Sequence, residues 1–166
     1  VFIFADGLRY EMAKSLKNDM VCEEVVDYNV YSALPTETEI GMNGYFITDE
    51  KLRLNSKNVF ELVKNNKLIV KIINWRSDKL SEIVGDTVIS FEEFKKSKAY
   101  SGSVIYFYND VDNALHSYNS SRKVTNSVID LRKAIQYSID RNFDVMLLSD
   151  HGFIDIGSKI QLQDNE

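Results

Sequence analysis

The chain has little cysteine, proline or glycine: one, one and seven residues respectively among 166. Because Cys22 is the single cysteine, no intrachain disulfide can form. This is typical of proteins of the reducing cytoplasm, where we place the protein. We expect the Cys22 side chain to be a buried or half-buried apolar filler. No apolar run is long enough to cross a bilayer, so no membrane is expected among its partners. The 20 basic residues are scattered and outnumbered by 25 acidic ones, for a net charge of −5. This balance argues against a dedicated nucleic-acid surface on this chain alone.

The length and composition predict a single globular domain over residues 1–166. A hydrophobic content of 44% supplies an ample core, and folding at this size buries roughly 68–70% of the surface of the open chain. The core therefore needs no metal for stability, and a metal here would be functional. Because the chain opens directly into an apolar run, without a leader, we expect the domain to be excised from a longer protein.

The hydrophobic pattern alternates between strand-like and helix-like segments. Residues 1–5 are apolar at successive positions, as in a strand that is covered on both faces, and residues 124–139 carry apolar side chains every three or four positions. Such alternation predicts an α/β fold with a mostly parallel sheet, because parallel neighbours need long crossovers. The predicted strands are 1–5, 25–31, 68–73, 104–108 and 145–148, and the predicted helices are 8–17, 36–46, 56–63, a short one starting at the capping box 90–93, and 124–139.

Polar side chains collect where the predicted strands end. In open α/β sheets, ligands bind at the carboxyl ends of the strands. If these strands are parallel, several carboxylates, both histidines and a hydroxyl meet at one edge, and that crowding of negative charge requires cations. Oxygen and nitrogen donors of this kind suit zinc or manganese. The residues are Asp6, Thr36 and Thr38 after Pro35, Asp110, Asp112 and His116, and Asp150 with His151.

Each of these residues also has an ordinary structural explanation. Asp6 could cap the helix that follows it, and the threonines could begin a helix. Asp150 and His151 could form a turn, and His116 could be a solvated side chain. Asp112 and His116, however, are four residues apart, so in a helix they would share a face and could chelate one ion. Trp75, at the end of a predicted strand, is expected to serve in packing.

Four segments of the chain resemble the PglZ domain, a family of the alkaline phosphatase superfamily. They occur in the same order and cover nearly the whole chain. The combination of D-G-x-R, P-T-x-T and S-D-H-G-F is specific. The matching segments are Asp6-Gly7-Leu8-Arg9-Tyr10-Glu11, Leu34-Pro35-Thr36-Glu37-Thr38-Glu39-Ile40-Gly41-Met42, Tyr106-Phe107-Tyr108-Asn109-Asp110-Val111-Asp112 and Leu148-Ser149-Asp150-His151-Gly152-Phe153.

The resemblance implies a three-layer α/β/α core with two metal sites, usually zinc, and Mn²⁺ as an alternative. Thr38 is implied as the nucleophile rather than Thr36, because the second Thr of the P-T-x-T segment attacks in superfamily phosphodiesterases. Arg9 is a candidate for binding the phosphate. The implied metal ligands are Asp6, Thr38, Asp150 and His151 for one ion, and Asp112 and His116 for the other.

The expected function is a metal-dependent phosphoric ester hydrolase, more in keeping with a phosphodiesterase than a monoesterase, in a phage-defence system of the BREX type or in signalling. Its substrate would be a phosphate ester, with nucleic acid and cyclic nucleotides as candidates, and its partners would be other defence or signalling proteins. The alternative is a non-catalytic PglZ module in a larger assembly, which is favoured by the lack of a further histidine after His151. A sulfatase or phosphomutase is disfavoured, because a sulfatase requires Cys or Ser in the place of Thr38.

Overall fold

The computed structural model describes residues 1–22, 24–25, 38–47, 50–56, 60–69, 72–117 and 120–149. Within these ranges strands and helices alternate along much of the chain. The strands are β1 (Phe2–Ala5), β2 (Lys51–Leu54), β3 (Phe60–Lys64), β4 (Lys67–Leu68), β5 (Val88–Ser90), β6 (Ser103–Tyr108) and β7 (Met146–Leu148), and the helices are α1 (Tyr10–Asp19), α2 (Thr38–Gly44), α3 (Ile72–Val84), α4 (Phe91–Lys96), α5 (Asp110–Leu115) and α6 (Ser120–Ile139).

The main sheet has four strands in the order β5-β6-β1-β7, and all neighbouring pairs in it are parallel. Strand β1 occupies the interior of this sheet, between β6 and β7. Its uninterrupted apolar sequence suits that place, because a parallel strand covered on both faces has no solvent side. The prediction of an α/β fold with a mostly parallel sheet is confirmed.

The two faces of the sheet are packed by different helices. Ile3 and Ala5 of β1 belong to a cluster with buried side chains of α1, α4, α5 and α6. Phe4, which points the opposite way as strand alternation requires, belongs to a second cluster with Met42 of α2 and Leu80 of α3. The first cluster holds Leu131 and the second Phe4, and both side chains are almost fully buried. Each face therefore has its own apolar core.

Helix α4 begins at the capping box that its sequence predicts. The Ser90 side chain accepts a hydrogen bond from the Glu93 amide, and the Glu93 carboxylate accepts one from the Ser90 amide. Hydrogen bonds from Ser90 hold the pKa of the Glu93 carboxyl below its usual value. The box fixes the start of a helix whose Phe91 and Phe94 are both buried. The long helix predicted over residues 124–139 is confirmed as α6.

The segment between α2 and α3 contradicts the sequence interpretation. The helix predicted over 56–63 is wrong, because Phe60–Lys64 form β3 of a second, antiparallel sheet with the order β2-β3-β4. The strand predicted over 68–73 is also wrong: strand β4 ends at Leu68, and α3 begins at Ile72. Asn65 and Asn66 both have positive φ, 51° and 60°, as the central residues of a type I′ hairpin turn require.

Two further predictions concern single residues. Cys22 is exposed, so its assignment as a buried or half-buried filler is wrong. Trp75 lies in α3 rather than at a strand end, but it does pack: its ring is 6.1 Å from that of Phe46 in an edge contact. The strand predicted over 25–31 lies outside the described residues except at Val25. No helix in the described part of the chain is long and apolar enough to cross a membrane.

Candidate active site

Asp6 lies directly after β1, at the edge of the sheet where the carboxyl ends of β1, β6 and β7 meet. Its backbone amide donates a hydrogen bond of 2.9 Å to the carbonyl oxygen of Tyr108, which ends β6. The residue is only 5% exposed. The explanation of Asp6 as a helix cap is wrong, because the N-cap of α1 is Arg9. A carboxylate held in the interior at this edge requires compensation by donors or cations.

Gly7 brings the turn after β1 against helix α5. Its φ of 69° is in the left-handed region, which glycine adopts without steric cost. A Cβ at this position would lie 3.3 Å from Asp112 Cβ and 3.4 Å from Asp112 Oδ1. The absence of a side chain therefore lets Asp112 approach the backbone next to Asp6. These two predicted ligand residues are brought to the same edge of the sheet.

Asp112 and His116 are neighbours on one face of the turn that ends α5, as their spacing predicts. The distance from His116 Nε2 to Asp112 Oδ2 is 3.5 Å. Two ligands of one tetrahedral zinc ion, each about 2.0–2.2 Å from the metal, are about 3.4 Å apart. The pair thus fits two positions around a single zinc ion. The Asp112 side chain is 24% exposed and that of His116 is 79% exposed, so a ligand could reach both.

The start of α5 is fixed by a chain of hydrogen bonds. The Tyr108 hydroxyl donates a 2.6 Å bond to the carbonyl oxygen of Ser127 in α6, and the Ser127 hydroxyl donates a 3.0 Å bond to the carbonyl oxygen of Asp110. Burial raises the pKa of the Tyr108 hydroxyl, and the Asp110 charge raises it further. The phenol therefore keeps its proton and acts as a donor. These bonds hold the helix that carries Asp112.

Thr38 is the first residue of α2. The helix is held against the sheet by the buried side chains of Met42 and Phe46. The buried Asn43 accepts a 2.8 Å hydrogen bond from Arg76 Nε of α3, and the guanidinium of Arg76 lies 5.7 Å from the centre of the Phe107 ring. Arg76 thus attaches α3 both to helix α2, through Asn43, and to strand β6, through Phe107.

Arg9, the N-cap of α1 and three residues beyond Asp6, is engaged in an ion pair. Its Nε lies 3.3 Å from Glu11 Oε2, and its side chain is 23% exposed. Ion pairs with this degree of exposure contribute little to stability. The ion pair with Glu11 is therefore a weak constraint on the Arg9 guanidinium.

Several predicted site residues lie outside the described part of the chain, namely Thr36, Asp150 and His151. Among the residues that are described, no group of three or more His, Cys, Asp and Glu side chains is arranged to hold a metal ion. The described geometry places Asp112 beside Gly7, the residue after Asp6, and beside His116, and it places Thr38 at the start of a helix. The full ligand set remains a prediction.

Two features of this region are missing from the sequence analysis. Gly7 has a signal, the Asp-Gly pair directly after a buried strand, which indicates a tight turn with positive φ. The bond between Arg76 and Asn43 has no comparable signal, because its residues are 33 positions apart on separate helices. Such a contact emerges only from the tertiary packing.

We expect Gly7→Ala to lower the free energy of unfolding more than Gly85→Ala does. Both glycines have positive φ, 69° and 72°, so each substitution incurs about 1–2 kcal/mol of backbone strain. Nothing lies within 4 Å of a Cβ at Gly85, whereas a Cβ at Gly7 meets Asp112. Urea denaturation of both variants measures the difference. Equal losses would show that α5 yields to the new methyl group without cost.

A family model described as the BREX system PglZ alkaline phosphatase-like domain matches residues 1–166. No curated protein and no solved structure matches the chain significantly.

Proposed function

The chain belongs to the PglZ family of alkaline phosphatase-like domains of the BREX system, and on that premise we propose that it is a metal-dependent phosphoric ester hydrolase. The family membership indicates a hydrolase-like or defence role, and the proposal adds the chemistry. It includes a three-layer α/β/α core of the alkaline phosphatase type, a cytoplasmic location, and association with other defence proteins.

The observation that carries the proposal is the meeting of Asp6, Gly7 and Asp112 at one edge of the parallel sheet, with His116 beside Asp112. Asp6 is buried, Asp112 lies against the backbone of the residue that follows Asp6, and the His116 imidazole lies 3.5 Å from the Asp112 carboxylate, in a spacing that suits a zinc ion. This mixture of oxygen and nitrogen donors is the one that zinc and manganese prefer. We propose Asp6, Thr38, Asp150 and His151 as ligands of one ion, and Asp112 and His116 as ligands of the other.

In the proposed reaction, Thr38 Oγ attacks the phosphorus atom of the ester and the ester oxygen leaves. Thr38 gives up its hydroxyl proton to solvent water as the new O–P bond forms, and the leaving ester oxygen takes a proton from water to depart as an alcohol. A second water molecule then hydrolyses the bond between threonine and phosphorus, which releases phosphate or a phosphomonoester and restores the Thr38 hydroxyl. Divalent ions would supply a lowered hydroxyl pKa and neutralisation of the leaving oxygen. Arg9 orients the phosphoryl oxygens through its planar guanidinium.

We propose a diester rather than a monoester as the substrate. A phosphodiester carries a single negative charge, for which one arginine is sufficient. The P-T-x-T segment, which resembles that of superfamily phosphodiesterases, supports the same choice. Nucleic acid and cyclic nucleotides are both phosphodiesters and are the candidate substrates.

Hydrolysis of two chromogenic esters tests the proposal. With added Zn²⁺ or Mn²⁺, the protein should hydrolyse bis(p-nitrophenyl) phosphate faster than p-nitrophenyl phosphate, and a chelator should abolish both activities. Elemental analysis should find up to two zinc ions per chain. Faster hydrolysis of p-nitrophenyl phosphate than of the diester would overturn the diester preference alone. If the protein binds no metal and hydrolyses neither ester, the proposed function is overturned.

The second candidate is a non-catalytic PglZ module in a larger defence assembly. The large exposure of His116, 79% of its side chain, favours this candidate, because zinc ligands are usually fixed by hydrogen bonds from their surroundings. The elemental analysis separates the two functions. A protein that takes up no zinc at micromolar concentration supports the module.

A further inference from the structure

Tyr45 connects the end of helix α2 to the carboxyl end of strand β7. Its hydroxyl donates a hydrogen bond of 2.6 Å to the carbonyl oxygen of Ser149, 104 residues later in the chain, in a partly buried position. The distance is at the short end of the range for hydroxyl donors. Among the described residues, Ser149 is the last, one position beyond β7.

The acceptor of this bond belongs to the peptide unit that joins Ser149 to Asp150. The ladder between β1 and β7 ends with the pair Phe4 and Leu148. The Tyr45 hydroxyl therefore holds the backbone at the first peptide unit beyond the last paired residue of the strand.

The position of the hydroxyl is set by the core. The Tyr45 ring makes an edge contact with the Phe4 ring at 5.8 Å between centroids. Phe4 is 1% exposed and is the partner of Leu148 in the sheet. Tyr45 packs against the same cluster that holds Met42 of α2. A ring fixed in this way presents its hydroxyl at a defined place with little loss of side-chain freedom.

We propose that Tyr45 is a positioning residue of the active site, which acts through the peptide unit that leads into Asp150 and His151. It couples the helix that begins at Thr38 to the strand end that leads to two of the proposed metal ligands. This inference rests on the proposed function, since it assigns no chemistry of its own to the phenol. The Tyr45 hydroxyl holds two parts of the site in register.

Tyr45→Phe tests the inference, because it removes the hydroxyl and keeps the ring against Phe4. The matched control is Tyr100→Phe: the Tyr100 hydroxyl also donates to backbone carbonyls, those of Thr87 and Ser103, at 3.1 Å. Ser103 is at the amino end of β6, so this control lies at the opposite edge of the sheet. Each variant is made in the full chain.

Three measurements are compared between the variants. By hydrogen exchange and mass spectrometry, the backbone amides of residues 146–151 should exchange about fivefold faster or more in Tyr45→Phe, as the loss of one hydrogen bond implies. Zinc affinity, measured by competition with a chromogenic chelator, should fall about 10- to 100-fold. The kcat for bis(p-nitrophenyl) phosphate should fall, with KM little changed. Tyr100→Phe should leave all three unchanged.

The outcomes separate this inference from the proposed function. Unchanged exchange in Tyr45→Phe overturns the inference whether or not the protein is an enzyme. Faster exchange with unchanged zinc affinity and kcat also overturns it, since the bond would then be structural only. If the wild-type protein neither binds zinc nor turns over ester, the proposed function fails and the positioning role with it, while the exchange result still establishes the attachment.

Discussion

Thr38→Ala is expected to lower the zinc-dependent hydrolysis of bis(p-nitrophenyl) phosphate by at least about three orders of magnitude, as loss of a nucleophile does in other hydrolases. The methyl side chain of alanine cannot form the bond to phosphorus, so only positioning of water in the site would remain. Steady-state kinetics of the purified variant measure the effect. Zinc content should be retained better in this variant than in Asp150→Ala, which removes a proposed ligand carboxylate.

Two further threonine variants make the result specific. Thr125 lies in α6 and its hydroxyl donates to the carbonyl oxygen of Ser121 at 3.0 Å; Thr125→Ala should leave turnover unchanged. Thr36→Ala tests the other threonine of the P-T-x-T segment. If Thr36→Ala abolishes turnover while Thr38→Ala retains it, the nucleophile is misassigned. If both variants retain turnover, neither Thr36 nor Thr38 is the nucleophile.

The largest loss of stability is expected for Phe4→Ala, about 3–5 kcal/mol of the free energy of unfolding. Phe4 is 1% exposed in the central strand. Its ring lies 4.9 Å from that of Phe46 and 5.5 Å from that of Phe107. Alanine would leave a cavity between α2 and the sheet. Domains of this kind have about 5–15 kcal/mol of stability in total. The urea concentration at the midpoint of unfolding should therefore be much lower in the variant than in the wild-type protein.

An exposed aromatic residue provides the control for this substitution. Tyr10, the first residue of α1, is 55% exposed. Tyr10→Ala should change the free energy of unfolding by no more than about 0.5 kcal/mol, as is usual at surface positions. A similar loss for both variants would contradict the central role of Phe4 in the second cluster.

The sequence predicts three strands of the parallel sheet, β1, β6 and β7, because each is a short apolar run. It does not predict β5, which has only two apolar residues, Val88 and Ile89. Helix α6 shows its periodicity over 20 residues, and Ser90 and Glu93 form the capping box that their spacing indicates. Local patterns make these elements readable in the sequence. Packing of the amphipathic helix faces against the sheet then supplies most of their stability.

The second sheet escapes prediction because its local pattern is ambiguous. Val63 and Phe60 are three residues apart, as on a helix face, yet Leu62 and Val63 are both buried in adjacent positions of one strand. Adjacent side chains of a strand point to opposite faces of the sheet, so two buried ones require that both faces be covered by other parts of the domain. The signal that was available is Asn65-Asn66, since this residue type tolerates the positive φ of a hairpin turn.

The candidate site is only partly readable from sequence. The strand ends predict that Asp6 and Asp112 meet, and the close approach at Gly7 agrees with that expectation. The contacts of helix α2 are different, since Tyr45 and Ser149 are far apart in the chain. No periodicity links them. Their meeting depends on how α2 packs over Phe4, and that is a property of the completed core.

The central place of β1 also dictates when the domain can fold. Its partners are β6, about a hundred residues later, and β7, later still. On the ribosome, β1 is synthesised long before either neighbour emerges, so β6 and β7 cannot cover Phe2 and Phe4 until residues 103–148 have been made. Contacts this distant in sequence slow folding and prolong the lifetime of aggregation-prone intermediates. A nascent chain that stops before Met146 lacks the strand that closes one side of β1, and we expect it to engage chaperones.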